Sequence, residues 1–298
     1  MKNKLKFLAL ILVLPVAFVF TACGQLDSDA KVDVGNDSKY VEVTDTTELE
    51  GLVSPKGQEG EEEAAATTLT GAKITVNIDA GKYAKGKVNV VFTQTEDAQQ
   101  NTVLQAAAKV NVEVDYDGVK GKVVTEAYLK DDVLYVNVAQ NTVGQGDASG
   151  MGAMAQTVTG KIKFDLATYG DMFEYLLGNV TNEIAGDLPV DPSSLLEGEF
   201  DVSMVLGLVQ QLNMKVYSYT EGDYVRFKLT TTDEETGDTV TAYLVFKAGV
   251  LAGIKVDAKM TSEGEEMKLS VAMEAFAGQV DFPSFDDYQD FQMPAAMM

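Results

Sequence analysis

The sequence contains one cysteine, Cys23, and no histidine among its 298 residues. The absence of histidine excludes Ser-His-Asp and Cys-His catalysis, and it removes the imidazole ligands of zinc, copper and non-haem iron sites. Carboxylate pairs such as Asp286–Asp287 and Glu265–Glu266 indicate little, because general acid–base catalysis needs two carboxyl groups at a defined separation in a cleft. We therefore expect a protein that is not an enzyme, without catalytic residues, cofactor or metal. Only the position of Cys23 indicates a chemical reaction of a side chain, namely modification of its thiol.

Cys23 stands at the end of an N-terminal segment built like a secretory signal. Three lysines within the first six residues precede an apolar stretch over 7–20, and the small residues Thr21 and Ala22 stand directly before the cysteine. The residues FTAC resemble the lipobox of bacterial lipoproteins, although Phe20 stands where Leu or Val is usual. The alternative is an ordinary signal peptide with a cysteine nearby by chance.

The lipobox resemblance implies a specific maturation and location. A signal peptide over 1–22 would be removed, and the thiol of Cys23 would carry a diacylglyceryl group with acyl chains such as palmitate. Two acyl chains anchor a protein stably, whereas one chain binds a membrane only marginally. The protein would then be exported and held at the outer face of the bacterial cytoplasmic membrane, or at the outer membrane in a Gram-negative host.

The charge of the chain limits its partners. The formal net charge is −23, which disfavours contact with nucleic acid phosphates and anionic lipid headgroups. We therefore expect no nucleic acid partner, and attachment to the membrane through the lipid on Cys23. Protein partners cannot be derived from the sequence. A single cysteine forms no disulfide within the chain, so stability must come from a hydrophobic core, for which 46% hydrophobic residues suffice.

The segment that follows Cys23 has the composition of a flexible tether. Residues 24–70 contain twelve acidic residues, three lysines and few large apolar residues. Such a segment cannot bury enough surface to fold alone, and a coil of this length reaches roughly 40 Å. We predict a lipidated cysteine and acidic tether over 23–70, in which YVEV at 40–43 is at most a short strand, followed by a single β-rich domain over 71–298.

From residue 71 the apolar residues recur with the period of two that is typical of β-strands. In LQAAAKVNVEVDY at 104–116, Leu104, Val110, Val112 and Val114 share one face, and charged or polar residues occupy the other. Similar segments, separated by connectors such as TDEETGD and SEGEE, predict about eleven strands, more than a flat sheet usually holds. We predict an α+β fold, mostly β: a long, strongly curved antiparallel sheet in the form of a half-open barrel.

Two segments with helical periodicity interrupt the strands, near 168–180 and 201–212. In the first, Tyr169, Met172, Phe173, Leu176 and Leu177 recur at three- and four-residue spacing, and the second has the same pattern. Both predicted helices have one apolar side, so we expect them to cover the concave face of the sheet. A gap between sheet and helices could hold a hydrophobic ligand, although ordinary core packing is the simpler interpretation of these residues. The candidate pocket residues are Ala108, Val110, Val112, Val114, Met172, Phe173, Leu176, Leu177, Met204, Met214, Met260 and Met273.

The predicted architecture resembles the LolA-like group of lipid-carrier and lipid-binding lipoproteins. The resemblance is carried by the long meander with two central helices and by segments such as AYLKDDVLYVNV at 127–138 and AYLVFKAGVLAGIKV at 242–256. An acidic segment stands where that group often begins with a helix. The resemblance implies a non-catalytic module that holds a lipid or other hydrophobic ligand. The alternative is a structural or interaction lipoprotein of the cell envelope with a filled core and no small-molecule ligand.

Overall fold

The computed structural model describes residues 29–44, 70–96, 102–116, 119–145, 156–170, 209, 213–262 and 264–292. Within them, thirteen strands form one sheet. The strands are β1 (Val41–Glu42), β2 (Gly71–Asp79), β3 (Ala84–Glu96), β4 (Thr102–Tyr116), β5 (Val119–Lys130), β6 (Val133–Gln145), β7 (Gln156–Asp165), β8 (Lys215–Glu221), β9 (Tyr224–Thr232), β10 (Thr239–Lys247), β11 (Val250–Ser262), β12 (Glu265–Ala275) and β13 (Gln289–Asp290). The prediction of a mostly β protein built on one long sheet is confirmed.

The sheet consists of two antiparallel meanders joined side by side. Strands β2 to β7 form the first meander and β8 to β12 the second, and β12 pairs with β2 to join them. The two-residue strands β1 and β13 lie at opposite ends, β1 antiparallel to β8 and β13 parallel to β7. These ends are not paired with each other in the described part of the chain, so the sheet is open. The eleven long strands β2–β12 match the predicted number.

The structure describes only parts of the two predicted helices. Residues 166–170 are helical at the start of the first predicted helix, and Val209 is helical within the second. The remainder of 168–180 and of 201–212 lies outside the described residues. The covering of the sheet by two helices therefore stays a prediction. Among the described residues, no helix is long and apolar enough to cross a membrane.

The strand register sorts the side chains onto two faces. Ile74 on β2 lies beside Val90 on β3, which lies beside Ala108 on β4, and all three are buried. The next residues along the same strands, Thr75 and Asn89, point to the opposite side because side chains alternate along a strand. We call the side of Ile74 the apolar face and the side of Thr75 the polar face.

An N-terminal segment, residues 29–44, crosses the polar face, and we call it the strap. A β-carbon at Gly253 on β11 would lie 3.1 Å from Cγ2 of Val32, so the strap packs closely on the sheet. The strap ends in β1, which pairs with β8. Its polar contacts, in chain order, are Asp29 with Lys87, the Ala30 N–H with Thr75, the Lys31 N–H with Glu274, Asp33 with Arg226, Asp37 with Lys228 and Lys39 with Glu221.

The strap corrects the prediction of a flexible tether over 23–70. Residues 29–44 of that range are fixed on the sheet, because their carboxylates and backbone groups find partners on strands far away in the sequence. Residues 23–28 and 45–69 lie outside the described residues, and nothing further follows for them.

A C-terminal segment over 276–292 covers the other half of the polar face. Phe285 stacks on Tyr135 with ring centroids 3.8 Å apart, and the ring of Tyr288 meets those of Tyr128 and Tyr135 edge-on. Lys161 of β7 donates a hydrogen bond to Asp287 at 2.6 Å. Tyr288 is buried, as is Tyr128 beneath it. The two terminal segments thus share the polar face, the strap over β2, β3 and β8–β12 and the C-terminal segment mainly over β5–β7.

Candidate functional site

Four of the predicted pocket residues form a column along β4 on the apolar face. Ala108, Val110, Val112 and Val114 alternate with polar residues, so the register places them on one side of the sheet. Ala108 is 1% exposed and belongs to the main core, whereas Val114 is 39% exposed. The column is therefore covered at its Ala108 end and open to solvent at its Val114 end.

The other described pocket candidates are dispersed over the second meander. Met260 and Met273 lie on the apolar face, since Met273 pairs with Ile74 of β2 and Met260 shares its side of β11 with Ile254. Met273 packs against both hydrophobic clusters of the sheet, and Met214 packs against the cluster around Phe227. These contacts are those of core residues.

The remaining candidates are all on the predicted helices. They lie outside the described residues, so the structure does not test whether they face the β4 column. They are Met172, Phe173, Leu176, Leu177 and Met204.

A cavity of about 400 Å³ opens at the rim of the sheet, beside the exposed end of the β4 column. It lies between the β2–β3 turn and the adjoining ends of β4 and β5, and we call it the rim cavity. Val114 at the end of the column forms part of its wall, but the charged side chains that line the cavity on β4 and β5 are on the polar face, opposite the column. Four lysines and two carboxylates also line it: Lys82, Lys85, Lys120, Lys122, Glu113 and Asp115.

Sequence reasoning missed the rim cavity. The sequence indicates this cavity only through the spacing of Lys120 and Lys122 on β5. Residues two apart lie on the same side of a strand, so both ammonium groups are on one face. The contribution of Lys82 and Lys85 depends on the pairing of β3 with β4 and of β4 with β5. That pairing cannot be derived from the spacing within any one strand.

The lysines of the rim cavity each contact a carboxylate. The Nζ–O distances are 3.0 Å from Lys82 to Glu265, 3.4 Å from Lys85 to Asp79, 2.9 Å from Lys120 to Asp115 and 2.6 Å from Lys122 to Glu113. The hydrogen bond from Lys122 lowers the pKa of Glu113, and the hydrogen bond to Glu265 raises the pKa of Lys82. Both shifts favour the charged forms at neutral pH. The cavity therefore offers fixed charges rather than a group suited to proton transfer.

Arg226 on β9 is the most deeply buried charged group described, and the strap is its partner. Its Nε donates to the backbone oxygen of Asp33 at 2.8 Å and its Nη2 to the carboxylate of Asp33 at 2.7 Å. The rings of Tyr219 and Tyr224 lie 5.2 and 4.7 Å from its guanidinium carbon. Both hydrogen bonds fix Asp33 of the strap, so we interpret Arg226 as a clamp that holds the strap.

The described residues contain no group of three or more acidic, cysteine or histidine side chains that could hold a metal ion. Comparisons of the chain with protein-family models, with curated proteins and with solved structures found no match. The function must therefore be argued from the two faces of the sheet and the rim cavity.

Proposed function

We propose that this chain is an exported bacterial lipoprotein, anchored through a lipid on Cys23, whose domain binds a lipid or another hydrophobic ligand on the apolar face. The observation that carries the proposal is the gradient along β4, from 1% exposure at Ala108 to 39% at Val114. An apolar column that emerges from a packed core into solvent loses contact with water when an apolar chain lies along it, and this loss is favourable.

The arrangement of the terminal segments also supports binding on the apolar face. The strap and the C-terminal segment both occupy the polar face, with Tyr128 and Thr75 buried beneath them. That face is therefore already covered by the chain itself. The open end of the β4 column is on the other face, where Val112 is half-buried and Val114 is exposed.

Close packing at the centre of the sheet supports a second function. Val76 and Val90 are 2% and 3% exposed, and Ala106 is fully buried, so this part of the apolar face is closely packed. A core filled along its whole length would favour the alternative, an interaction or structural lipoprotein of the cell envelope without a small ligand.

The test is uptake of a fluorescent fatty acid by the purified protein, together with native mass spectrometry of protein taken from its own host. Val112→Asn places an amide in the apolar column and should abolish uptake, because the amide loses water without gaining a partner when an acyl chain covers it. Asn111→Ser is the matched control, since Asn111 is exposed and the strand alternation directs it to the polar face.

The proposal is supported if the parent and Asn111→Ser take up the fatty acid and Val112→Asn does not. All three proteins must also melt cooperatively, which shows that they are folded. Absence of uptake by the parent, together with no copurified ligand, would refute ligand binding and leave the envelope interaction protein.

A further inference from the structure

We propose that the strap is a reversible latch, which opens while the sheet stays folded and so sets how far the domain moves from its membrane anchor. The effect at the membrane rests on the proposed function, namely the lipid on Cys23, whereas the opening rests only on contacts between the strap and the polar face. Three features of these contacts support it. The strap buries none of its own residues, the sheet beneath it is polar, and its carboxylates are exposed to solvent.

The strap loses little apolar contact when it leaves the sheet. All residues of the strap are described, and none of them is buried. Its apolar contacts include Val32 over Gly253 and the ring of Tyr40, which lies edge-on to two tyrosines of the sheet. The C-terminal segment differs, because its Val280 and Tyr288 are 6% and 7% exposed. Since the free energy of burial follows the apolar area, the strap is the more weakly held of the two segments.

The polar face beneath the strap gains water when the strap leaves. Thr75 and Arg226 are each 2% exposed and Asn89 is 8% exposed. With the strap docked, Nη1 of Arg226 is buried without a hydrogen-bond partner. A buried polar group without a partner costs free energy, and hydration on release removes that cost. The C-terminal segment instead covers Tyr128, beside the fully buried Ala107, so its release would expose apolar surface.

The ion pairs that hold the strap are open to solvent on the carboxylate side. Asp29, Asp33 and Asp37 stand four residues apart, and each pairs with a cation of the sheet. Their side chains are 47%, 63% and 69% exposed. Water and salt reach such pairs, so each contributes less than a fully buried pair and weakens as the ionic strength rises. Ionic strength therefore shifts the balance between the docked and the released strap.

Release of the strap changes the distance that the anchor allows. With the strap docked, the six residues from Cys23 to Asp29 span at most about 20 Å. After release, β2 would be the first described element of the chain that is attached to the sheet. A coil over 24–70 reaches roughly 40 Å. The anchored domain thus has two positions, one beside the bilayer and one farther from it.

The experiment measures hydrogen–deuterium exchange of the protein with Cys23→Ser at low and at high salt. Two strap amides report on docking, because the Ala30 N–H donates to Oγ1 of Thr75 and the Val43 N–H donates to the backbone oxygen of Val216. They lie near opposite ends of the strap, so release of the strap as a unit exposes both. The amides of β2 and β3 report on the sheet.

The latch variant is Lys228→Gln, which removes the partner of Asp37. The matched control is Lys161→Gln, which removes the same charge from the partner of Asp287 in the C-terminal segment. Each of these lysines lies 2.6 Å from its carboxylate, so the two variants lose pairs of the same length.

We expect both strap amides to exchange at least about tenfold faster than the amides of β2 and β3, through an opening that leaves the sheet intact. Raised salt and Lys228→Gln should each accelerate the two strap amides to the same extent, at least about threefold relative to the amides of β2 and β3. Lys161→Gln should leave the strap amides unchanged. Neutron reflectometry of the lipidated protein on a zwitterionic bilayer should show the domain moving away from the bilayer at high salt, and farther in Lys228→Gln than in Lys161→Gln.

Contrary results overturn the inference in distinguishable ways. If the strap amides exchange only as fast as those of β2 and β3, the strap opens only with the whole domain and is no latch. If the Ala30 amide is accelerated without that of Val43, one end frays and the strap does not release as a unit. If Lys161→Gln accelerates the strap amides equally, the effect belongs to net charge. If the amides behave as expected but the lipidated domain does not move, the latch stands and its effect at the membrane is wrong. A parent protein that is absent from the membrane fraction would refute the anchor in the proposed function and leave the exchange result intact.

Discussion

Replacing Asp33 with alanine tests whether the strap is an integral part of the domain. The carboxylate of Asp33 contacts Nη2 of Arg226 at 2.7 Å, and its removal leaves that nitrogen without its anionic partner. Nη1 of Arg226 is already buried without a hydrogen-bond partner. A buried guanidinium that loses its carboxylate retains its charge, because arginine does not deprotonate in proteins.

The expected loss in free energy of unfolding for Asp33→Ala lies between two limits. Removing one partner of a buried ion pair costs about 3–5 kcal/mol, whereas an exposed ion pair contributes about 0–1 kcal/mol. The Arg226 side chain is 3% exposed but that of Asp33 is 63% exposed, so solvent screens the pair from one side. The backbone oxygen of Asp33 also continues to accept from Nε in the variant. We therefore expect a loss of about 1–3 kcal/mol in the free energy of unfolding, or about 2–10 °C in Tm for a domain of this size.

The assay is chemical denaturation and thermal melting of Asp33→Ala beside Asp29→Ala. Asp29 is the matched control, because it also pairs with a cation of the sheet, but both side chains of that pair are half-exposed. Its replacement should cost less than about 1 kcal/mol. In an Arg226→Met background, Asp33→Ala should cost almost nothing, since no buried charge remains. Equal stability of Asp33→Ala and the parent would refute the clamp and with it the integral strap.

Three further changes have defined outcomes. Cys23→Ser should move the protein from the membrane fraction to the soluble fraction with its melting temperature unchanged, and a variant that stays membrane-bound after salt washing would contradict lipid anchoring. Ala108→Phe should destabilise the domain by about 1–3 kcal/mol through overpacking, since Ala108 is 1% exposed, and unchanged stability would indicate a void. Hydrogen bonds from Lys259 and Lys268 lower the pKa of Glu266 to about 2, so the stabilisation from Glu266 is present above pH 4.5 and lost as the pH falls towards 2. The difference in Tm between the parent and Glu266→Gln should therefore shrink over that interval, and a constant difference would exclude the ion pairs as its source.

The strands could be predicted from the sequence because their pattern is local. Alternation over 104–116 directs Val110 and Val112 to one face, and the structure has β4 over Thr102–Tyr116. The connector TDEETGD indicates a turn, and Gly237 in it adopts a φ of +72°, which glycine accepts without steric cost. Each of these signals depends on residues within a few positions of one another.

The strap could not be predicted from composition, because its carboxylates resemble those of a solvated tether. Asp29, Asp33 and Asp37 each pair with a cation on a strand, but those cations are 58 to 193 residues away in sequence. Only the order of strands in the sheet brings Lys87 and the β9 residues under a single crossing segment. The packing of the C-terminal segment has a clearer signal in the sequence. Aromatic residues recur every three positions over 282–291, a pattern typical of a segment that packs on an apolar surface.

The fixed strap changes how an anchored domain would sit on a membrane. A flexible tether of 47 residues would let the domain turn freely at roughly 40 Å from the lipid surface. A strap that begins at Asp29 leaves six residues for the proposed anchor at Cys23, so the corner of the sheet around Lys87 stays within about 20 Å of the bilayer. The rim cavity and the open end of the β4 column lie at this same corner. The lysines of this corner are on the polar face and Val114 is on the apolar face, so the proposed hydrophobic ligand would pass from the bilayer around the edge of the sheet to reach the open end of the column.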